Sequence, residues 1–363
     1  MSYYKLDKIL KKNAQYNMVI GKRSNGKTYA SLEYGIKEYF KNKKEIAYIR
    51  RWNDDIKAMR CRTMFEGLEE NGIIEKYSGG VYTNVIYKGG AWYMCRYEED
   101  DKGNKECIKE EKPFCYGFSL NNMEHDKSTS YPRIKTLIFD EFITRGMYLN
   151  DEFIVFMNVV STIARNNTDV KIFMLANTVN KYCPYFSEMG LKNIKQQEPN
   201  SIDVYRYGTS DLKVAVEYVA PEEGTGKGGN ILFAFNNPKL QMITRGTWEI
   251  DVYPHLPIKY KSDDVIFQYF IKWDGDILHC EIVKKDNNFF TYIHQKTSDI
   301  QNENKDIIFS QESDPRPNFY TRLTKPCDRL TEKISSFYKR DKVFFQNNEV
   351  GEIMFNYLKW CGK

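Results

Sequence analysis

Apolar positions along this chain change period several times, and each change marks an element. Met18-Val19-Ile20 is a short unbroken apolar run and predicts a buried strand. From Thr28 to Phe40, the side chains Ala30, Leu32, Ile36, Tyr39 and Phe40 recur at helical spacing. Ile46-Ala47-Tyr48-Ile49 predicts a second strand, followed by Arg50 and Arg51. Asn53 or Asp54 then caps a predicted helix carrying Ile56, Met59, Met64, Phe65 and Leu68. Between Gly79 and Phe118 the pattern alternates, with turn signals at Gly89-Gly90 and at Asp101-Lys102-Gly103-Asn104, which predicts a pair of inserted hairpins. Thr136-Leu137-Ile138-Phe139 is a further strand, Asp151 to Arg165 is helical, and Lys171 to Ala176 is apolar again, ending in Asn177. Strands alternating with helices predict an α/β domain with a parallel sheet and helices on both faces.

The texture changes around residues 221–230. Pro221 to Asn230 is rich in glycine and reads as a mobile loop. Its glycines fit G-x-G-x-x-G, but no clear helix opens behind them, so a dinucleotide site is not expected there. Val265 to Trp273 and Ile277 to Val283 flank Asp274-Gly275-Asp276, a hairpin signal, and Phe289 to Ile293 adds a strand. Leu330 to Phe337 and Val350 to Leu358 read as helices. The expected organisation is a first domain over 1–207, a linker or hinge over 208–255, and a small α+β domain over 256–363.

The chemistry sits at the ends of the predicted strands. Gly21-Lys22-Arg23-Ser24-Asn25-Gly26-Lys27-Thr28 follows the first strand directly and opens the first long helix. It reads G-x-x-x-x-G-K-T, a P-loop. Such a loop turns successive backbone N–H groups around phosphate oxygens, and the helix N-terminus adds positive potential. Lys27 is expected at the outer phosphates of ATP and Thr28 at Mg²⁺. The later strand ends in Asp140-Glu141, a Walker B pattern. Asp140 then serves the Mg²⁺ shell, and Glu141 orients or deprotonates the attacking water. An acid directly after the metal-side Asp points to an ATP hydrolase. It also points to the P-loop subclass in which an additional strand separates the two motif strands.

Composition narrows the partners. The 363 residues carry 54 Lys and Arg against 49 Asp and Glu, a net charge of +5, which suits an anionic partner without requiring one. No apolar run is long enough for a membrane span, and Met1-Ser2-Tyr3-Tyr4-Lys5 has no apolar signal core, so a cytosolic protein without membrane partners is expected. The eight cysteines form no Cys-x-x-Cys and there are only four histidines, so a zinc site is not expected. No Asn-Lys-x-Asp is present, which disfavours a GTPase.

Arg165 ends the helix after Walker B; it is either a finger completing a neighbour's site or a surface arginine meeting the helix dipole. Asn177 is either a γ-phosphate or water contact or a polar strand end. Lys127 lies in a polar stretch and reads from composition as a solvated lysine. Arg50 and Arg51 either touch nucleotide or DNA or simply end their strand.

The ordered blocks Val19 to Ala30, Tyr48 to Arg51, Lys127 to Pro132, Phe139 to Phe142, Arg165-Asn166 and Leu175 to Asn177 closely resemble the DNA-packaging ATPase of small podophages, the phi-29-like group. The resemblance covers most of the first 180 residues. It implies a homopentameric ring acting on the portal of a prohead in the host cytoplasm. ATP hydrolysis would drive double-stranded DNA inward, with a structural packaging RNA between portal and ring, and the motor would be absent from the mature virion. It also implies that Arg165 is a finger acting on the neighbouring subunit and that Lys127 reaches the same nucleotide. The second domain is implied to be RNase H-like, a nuclease that has lost its metal acids. Two departures stand out: the hairpin insertion from about Gly89 to Phe118 is long, and Asn167 and Thr168 stand where more basic residues are expected. The rival readings are a terminase with an active nuclease, using Asp274, Asp276, Glu281 and Asp286, a nucleotide-binding scaffold, and a cellular DNA or RNA translocase.

Overall fold

Strands buried on both faces read as unbroken apolar runs, and the first part of the chain is built from them. A computed structural model describes residues 4–99, 105–122, 131–165, 167, 169–219, 242 and 248–362. Its strands are β1 (Tyr16–Gly21), β2 (Glu45–Arg50), β3 (Asn84–Lys88), β4 (Ala91–Glu99), β5 (Lys105–Lys109), β6 (Cys115–Ser119), β7 (Ile134–Asp140), β8 (Lys171–Asn177), β9 (Ile202–Arg206) and β10 (Lys213–Val219), all in one sheet. In space the order is β3-β4-β6-β2-β7-β8-β1-β10-β9, with β5 paired to β4. From β6 to β10 neighbouring strands run parallel. The expected additional strand is present: β8 lies between β1 and β7.

Side-chain alternation divides the core into two layers. Met18, Ile20, Leu137, Phe139, Ile172 and Met174 belong to the layer that includes Phe156 and Val159 of the helix Glu152–Ala164. Val19, Ile138, Phe173 and Leu175 belong to the layer that includes Leu32 and Ile36 of the helix Lys27–Asn42. Ring contacts tie each layer to the sheet, Phe139 on Phe156 at 5.0 Å and Tyr34 on Phe173 at 5.1 Å.

Three expectations need correction. The inserted region is not simply a pair of hairpins. β3 and β4 do turn at Gly89-Gly90, but β6 pairs in parallel with β2 and belongs to the central sheet. The helix expected after Asn53 is broken into short turns, Asn53–Ile56, Ala58–Cys61 and Glu66–Glu70. Tyr87 Oη donates to the Ile56 carbonyl at 2.7 Å and Trp92 Nε1 to the Cys61 carbonyl at 2.8 Å. Those carbonyls are thereby committed to the inserted strands rather than to a continuing helix. Finally, the expected linker over 208–255 begins inside the first sheet, because β10 pairs with β1 along its whole length. The two compact units are Met1–Glu249 and Ile250–Lys363. The Pro221 to Asn230 loop lies outside the described residues.

The second unit contains β11 (Val265–Trp273), β12 (Asp276–Lys285), β13 (Asn288–Gln295), β14 (Ile307–Ser310), β15 (Phe319–Tyr320) and β16 (Val343–Phe345), ordered β15-β14-β11-β12-β13-β16. The first three are antiparallel, and β14 and β15 continue in parallel beside β11. This is compatible with an RNase H-like arrangement. Asp274 (φ 50°) and Gly275 (φ 84°) make the expected tight turn. The acids available to an active nuclease do not converge. Asp274 and Asp276 lie at one end of β12 and Asp286 just beyond the other, about 30 Å apart at the rise of an extended strand. The helices Arg329–Lys339 and Asn348–Cys361 are capped by Asp328 and Asn347, whose side chains accept from Thr331 N and Val350 N.

One buried ion pair fastens the end of β2 to the rest of the first unit. Arg51 Nε and Nη2 donate to Glu152 Oε2 and Oε1 at 2.8 and 2.9 Å, and both side chains are buried. The same guanidinium donates to the Phe142 carbonyl at 2.7 Å and to the Glu141 carbonyl at 3.2 Å. Glu152 also accepts from Leu149 N and Tyr185 Oη. Removing one partner leaves an uncompensated charge in the core. Glu152→Ala is therefore expected to destabilise the first unit by about 3–5 kcal/mol in urea unfolding, and a loss below about 1 kcal/mol would contradict this role.

Candidate nucleotide-binding site

β1 ends at Gly21, and the chain then reverses through two left-handed residues, Ser24 (φ 57°) and Gly26 (φ 91°). Glycine at the second lets the loop turn without steric cost. A Cβ on Gly21 would lie 2.5 Å from the Val219 carbonyl oxygen, so β10 admits no side chain there. The 16-residue helix Lys27–Asn42 starts immediately, with Ala30 N donating to the Gly26 carbonyl. Its free N–H groups and dipole favour an anion at this point. Lys22 and Asn25 are half-buried, while Arg23 and Ser24 are exposed.

The Lys27 ammonium is folded back onto the loop. It donates to the Gly21 and Lys22 carbonyls at 3.2 and 2.7 Å and to Asn25 Oδ1 and Asn177 Oδ1 at 3.0 and 3.3 Å. Burial pushes its pKa down to about 8, against the opposing pull of the Asp140 carboxylate. Asn177 reaches it because Gly21 and Asn177 are paired in register at the ends of β1 and β8.

Asp140 ends β7, one strand further on. Its Oδ2 accepts from Thr28 Oγ1 at 2.9 Å and from Tyr48 Oη at 3.1 Å. Burial raises its pKa, offset by Arg50 and by those two hydroxyls. The Thr28 hydroxyl and the buried Asp140 carboxylate thus present hard oxygens side by side, a donor set that fits Mg²⁺. Glu141 adopts φ 59°, and its half-exposed carboxylate pairs with Arg50 Nη2 at 2.6 Å. Arg50 also lies 3.6 Å from Asp55.

The structure therefore brings together the P-loop, Asp140, Glu141 and Asn177. Arg165 is elsewhere on the chain's surface: it is exposed at the end of the helix Glu152–Ala164, with φ 43°. Lys127 lies outside the described residues. Sequence reasoning missed Tyr48 on the Asp140 carboxylate and Glu152 beneath the Glu141 turn. The adjacent Arg50 and Arg51 were the available signal, and the choice left open for them resolves into two intramolecular ion pairs.

The family described as Podovirus DNA encapsidation protein (Gp16) matches residues 1–72 and 96–360. The unmatched stretch, residues 73–95, holds β3 and the start of β4 and overlaps the region expected to be long only over 89–95. A DNA packaging protein of Bacillus phage B103 is 29% identical over 178 residues, covering 48% of this chain and 48% of that protein. The DNA packaging protein of Bacillus phage phi29 is 26% identical over 187 residues, covering 51% and 49%. The chain thus spans about half the length of these relatives. Among solved structures, the bacteriophage Phi-29 viral genome packaging motor assembly gives a TM-score of 0.54 at 18% identity, covering 98% of each chain. The Phi-28 gp11 DNA packaging motor gives 0.52 at 18% identity, covering 99% of this chain and 96% of that one. These two show a shared fold. With nearly its whole length matched, the chain belongs to the Podovirus DNA encapsidation protein (Gp16) family.

Proposed function

We propose that this chain is an ATP hydrolase that drives double-stranded DNA into a viral prohead. The observation that carries the reading is the convergence of Lys27, Thr28, Asp140, Glu141 and Asn177 on the ends of three neighbouring strands. In the proposed site the backbone of Gly21 to Gly26 cradles the phosphates, and Lys27 exchanges its loop carbonyls for phosphate oxygens. Asn25 Nδ2 is buried and, among the described residues, has no acceptor, which suits an anionic oxygen. Thr28 and Asp140 would hold Mg²⁺, which neutralises phosphate charge when bound. Glu141 takes the proton of the attacking water, and the ion pair with Arg50 orients its carboxylate. Asn177 is placed to contact the γ-phosphate or that water.

Family membership supports the wider setting. The relatives are DNA packaging proteins, and the matched structures are packaging motors. We take the working form to be a homopentameric ring on the portal in the host cytoplasm, with a structural packaging RNA between ring and portal. Arg165 would act on the neighbour's nucleotide, and its exposure at a helix end leaves it accessible to another subunit. Lys127 is assigned the same neighbour by resemblance. Among the described residues, no helix is long and apolar enough to cross a membrane. The division into domains follows the two compact units, with the first carrying the ATPase and the second contacting nucleic acid.

Glu141→Gln is expected to slow phosphate release about 10²–10⁴-fold while retaining fluorescent nucleotide binding; turnover within tenfold of wild type would contradict the assignment. Arg165→Ala alone should also be inactive, yet mixing it with Glu141→Gln chains should recover activity, because some interfaces then hold an intact glutamate and an intact arginine. Failure of the mixture to exceed either variant would count against a finger acting between subunits. The logarithm of DNA affinity should fall linearly with the logarithm of salt concentration, and affinity should be indifferent to sequence. A salt-independent or sequence-selective binding curve would oppose grip through phosphates.

A further inference from the structure

We propose that His279, Glu281 and His294 form a binding site for a transition-metal ion of the Zn²⁺ class on the second sheet. One ligand atom from each of the three lies within 4.8 Å of the other two, and among the described residues no other such trio occurs. Register explains the grouping. His279 and Glu281 are two apart on β12, so they share a face, and His294 on β13 is the direct cross-strand partner of His279. The rings of the two histidines are 4.7 Å apart. Leu278, Cys280 and Ile282 occupy the opposite, buried face of β12.

Each ligand also has a supporting partner of the kind metal sites require. His279 Nε2 lies 3.1 Å from Gln268 Oε1, and His294 Nδ1 lies 3.4 Å from the Gln295 carbonyl. Both partners are acceptors, so a proton on each of those nitrogens would leave the other nitrogen of each ring its lone pair for a metal. Phe270 stacks on His279 at 4.7 Å and fixes the ring plane. Glu281 Oε2 accepts from the Tyr260 hydroxyl.

The donor set selects the ion. Two imidazoles and one carboxylate suit Zn²⁺, whereas Mg²⁺ prefers oxygen alone. Tetrahedral Zn²⁺ places its ligand atoms about 3.3 Å apart, so binding would draw the widest pair together by about 1.5 Å. Three protein ligands leave a fourth position for water. The ion would clamp β12 to β13. The usual zinc signal, paired cysteines, is missing because these ligands come from an i, i+2 pair and a cross-strand neighbour.

The test uses the full chain, freed of metal with chelator and titrated with Zn²⁺ and Co²⁺. Expected are one saturable Zn²⁺ site per chain, a raised unfolding temperature on Zn²⁺ addition, and a Co²⁺ visible spectrum without thiolate charge-transfer bands. His279→Ala and His294→Ala should each abolish these, and Tyr260→Phe should weaken Zn²⁺ about 10–100-fold. Circular dichroism and the melting curve in chelator should match wild type, separating lost ligands from lost folding. No saturable Zn²⁺ binding would overturn the proposal. So would binding that survives both histidine substitutions, or a thiolate signature placing the ion on cysteine.

Discussion

The buried pair of Arg51 and Glu152 sets the geometry on which the candidate site depends. Two charges removed from water are tolerated only when hydrogen bonds satisfy nearly every donor and acceptor, and this pair meets that demand through backbone that matters. Arg51 spends its remaining donors on the carbonyls of Glu141 and Phe142, and Glu152 holds Leu149 N and Tyr185 Oη. The turn that aims the Glu141 side chain is thereby fixed from below. Glu141 sits at φ 59°, a conformation an ordinary residue keeps only when its surroundings enforce it.

Strand alternation explains why two adjacent arginines do different work. Tyr48 lies on the same face of β2 as Arg50, and Ile49 on the same face as Arg51. On the first face Tyr48 reaches Asp140 and Arg50 reaches Glu141. On the second, Ile49 joins the apolar layer that contains Phe142, Phe156 and Tyr185, and Arg51 is drawn into it beside Glu152. A single strand end thus supplies one arginine to the Glu141 carboxylate and one to the buried scaffold.

What could be read from the sequence was local. The P-loop and the Asp140-Glu141 strand end announce themselves because their residue types and spacing are dictated by phosphate and metal geometry within a few residues. Long-range pairing was not legible. β6 looks like a hairpin strand because its alternation fits one, and only its parallel partner β2, far upstream, assigns it to the central sheet. The helix after Asn53 has acceptable spacing, but Tyr87 and Trp92, each 31 residues beyond its target, claim its carbonyls. β10 was hidden for the same reason: the chain runs along the sheet edge as β9 and turns back to lie beside β1, and no local signal records that return. Arg51 and Glu152 are 101 residues apart and each looks like an ordinary surface charge until the fold buries both.

The second sheet applies the same alternation to a different end. Leu278, Cys280 and Ile282 point into the core of that unit, so polar chemistry on β12 is confined to the other face, where His279 and Glu281 stand. A nuclease centre on this sheet needs several carboxylates converging on a hard cation. Here Asp274, Asp276 and Asp286 are spent at the two ends of β12, and β11 carries no acid at all. Imidazole donors on the outer face neither replace that centre nor inherit its ion, since they favour a softer metal and a different coordination. Absence of converging acids and presence of a histidine pair are therefore separate properties of the sheet, one fixed by its turns and the other by cross-strand register.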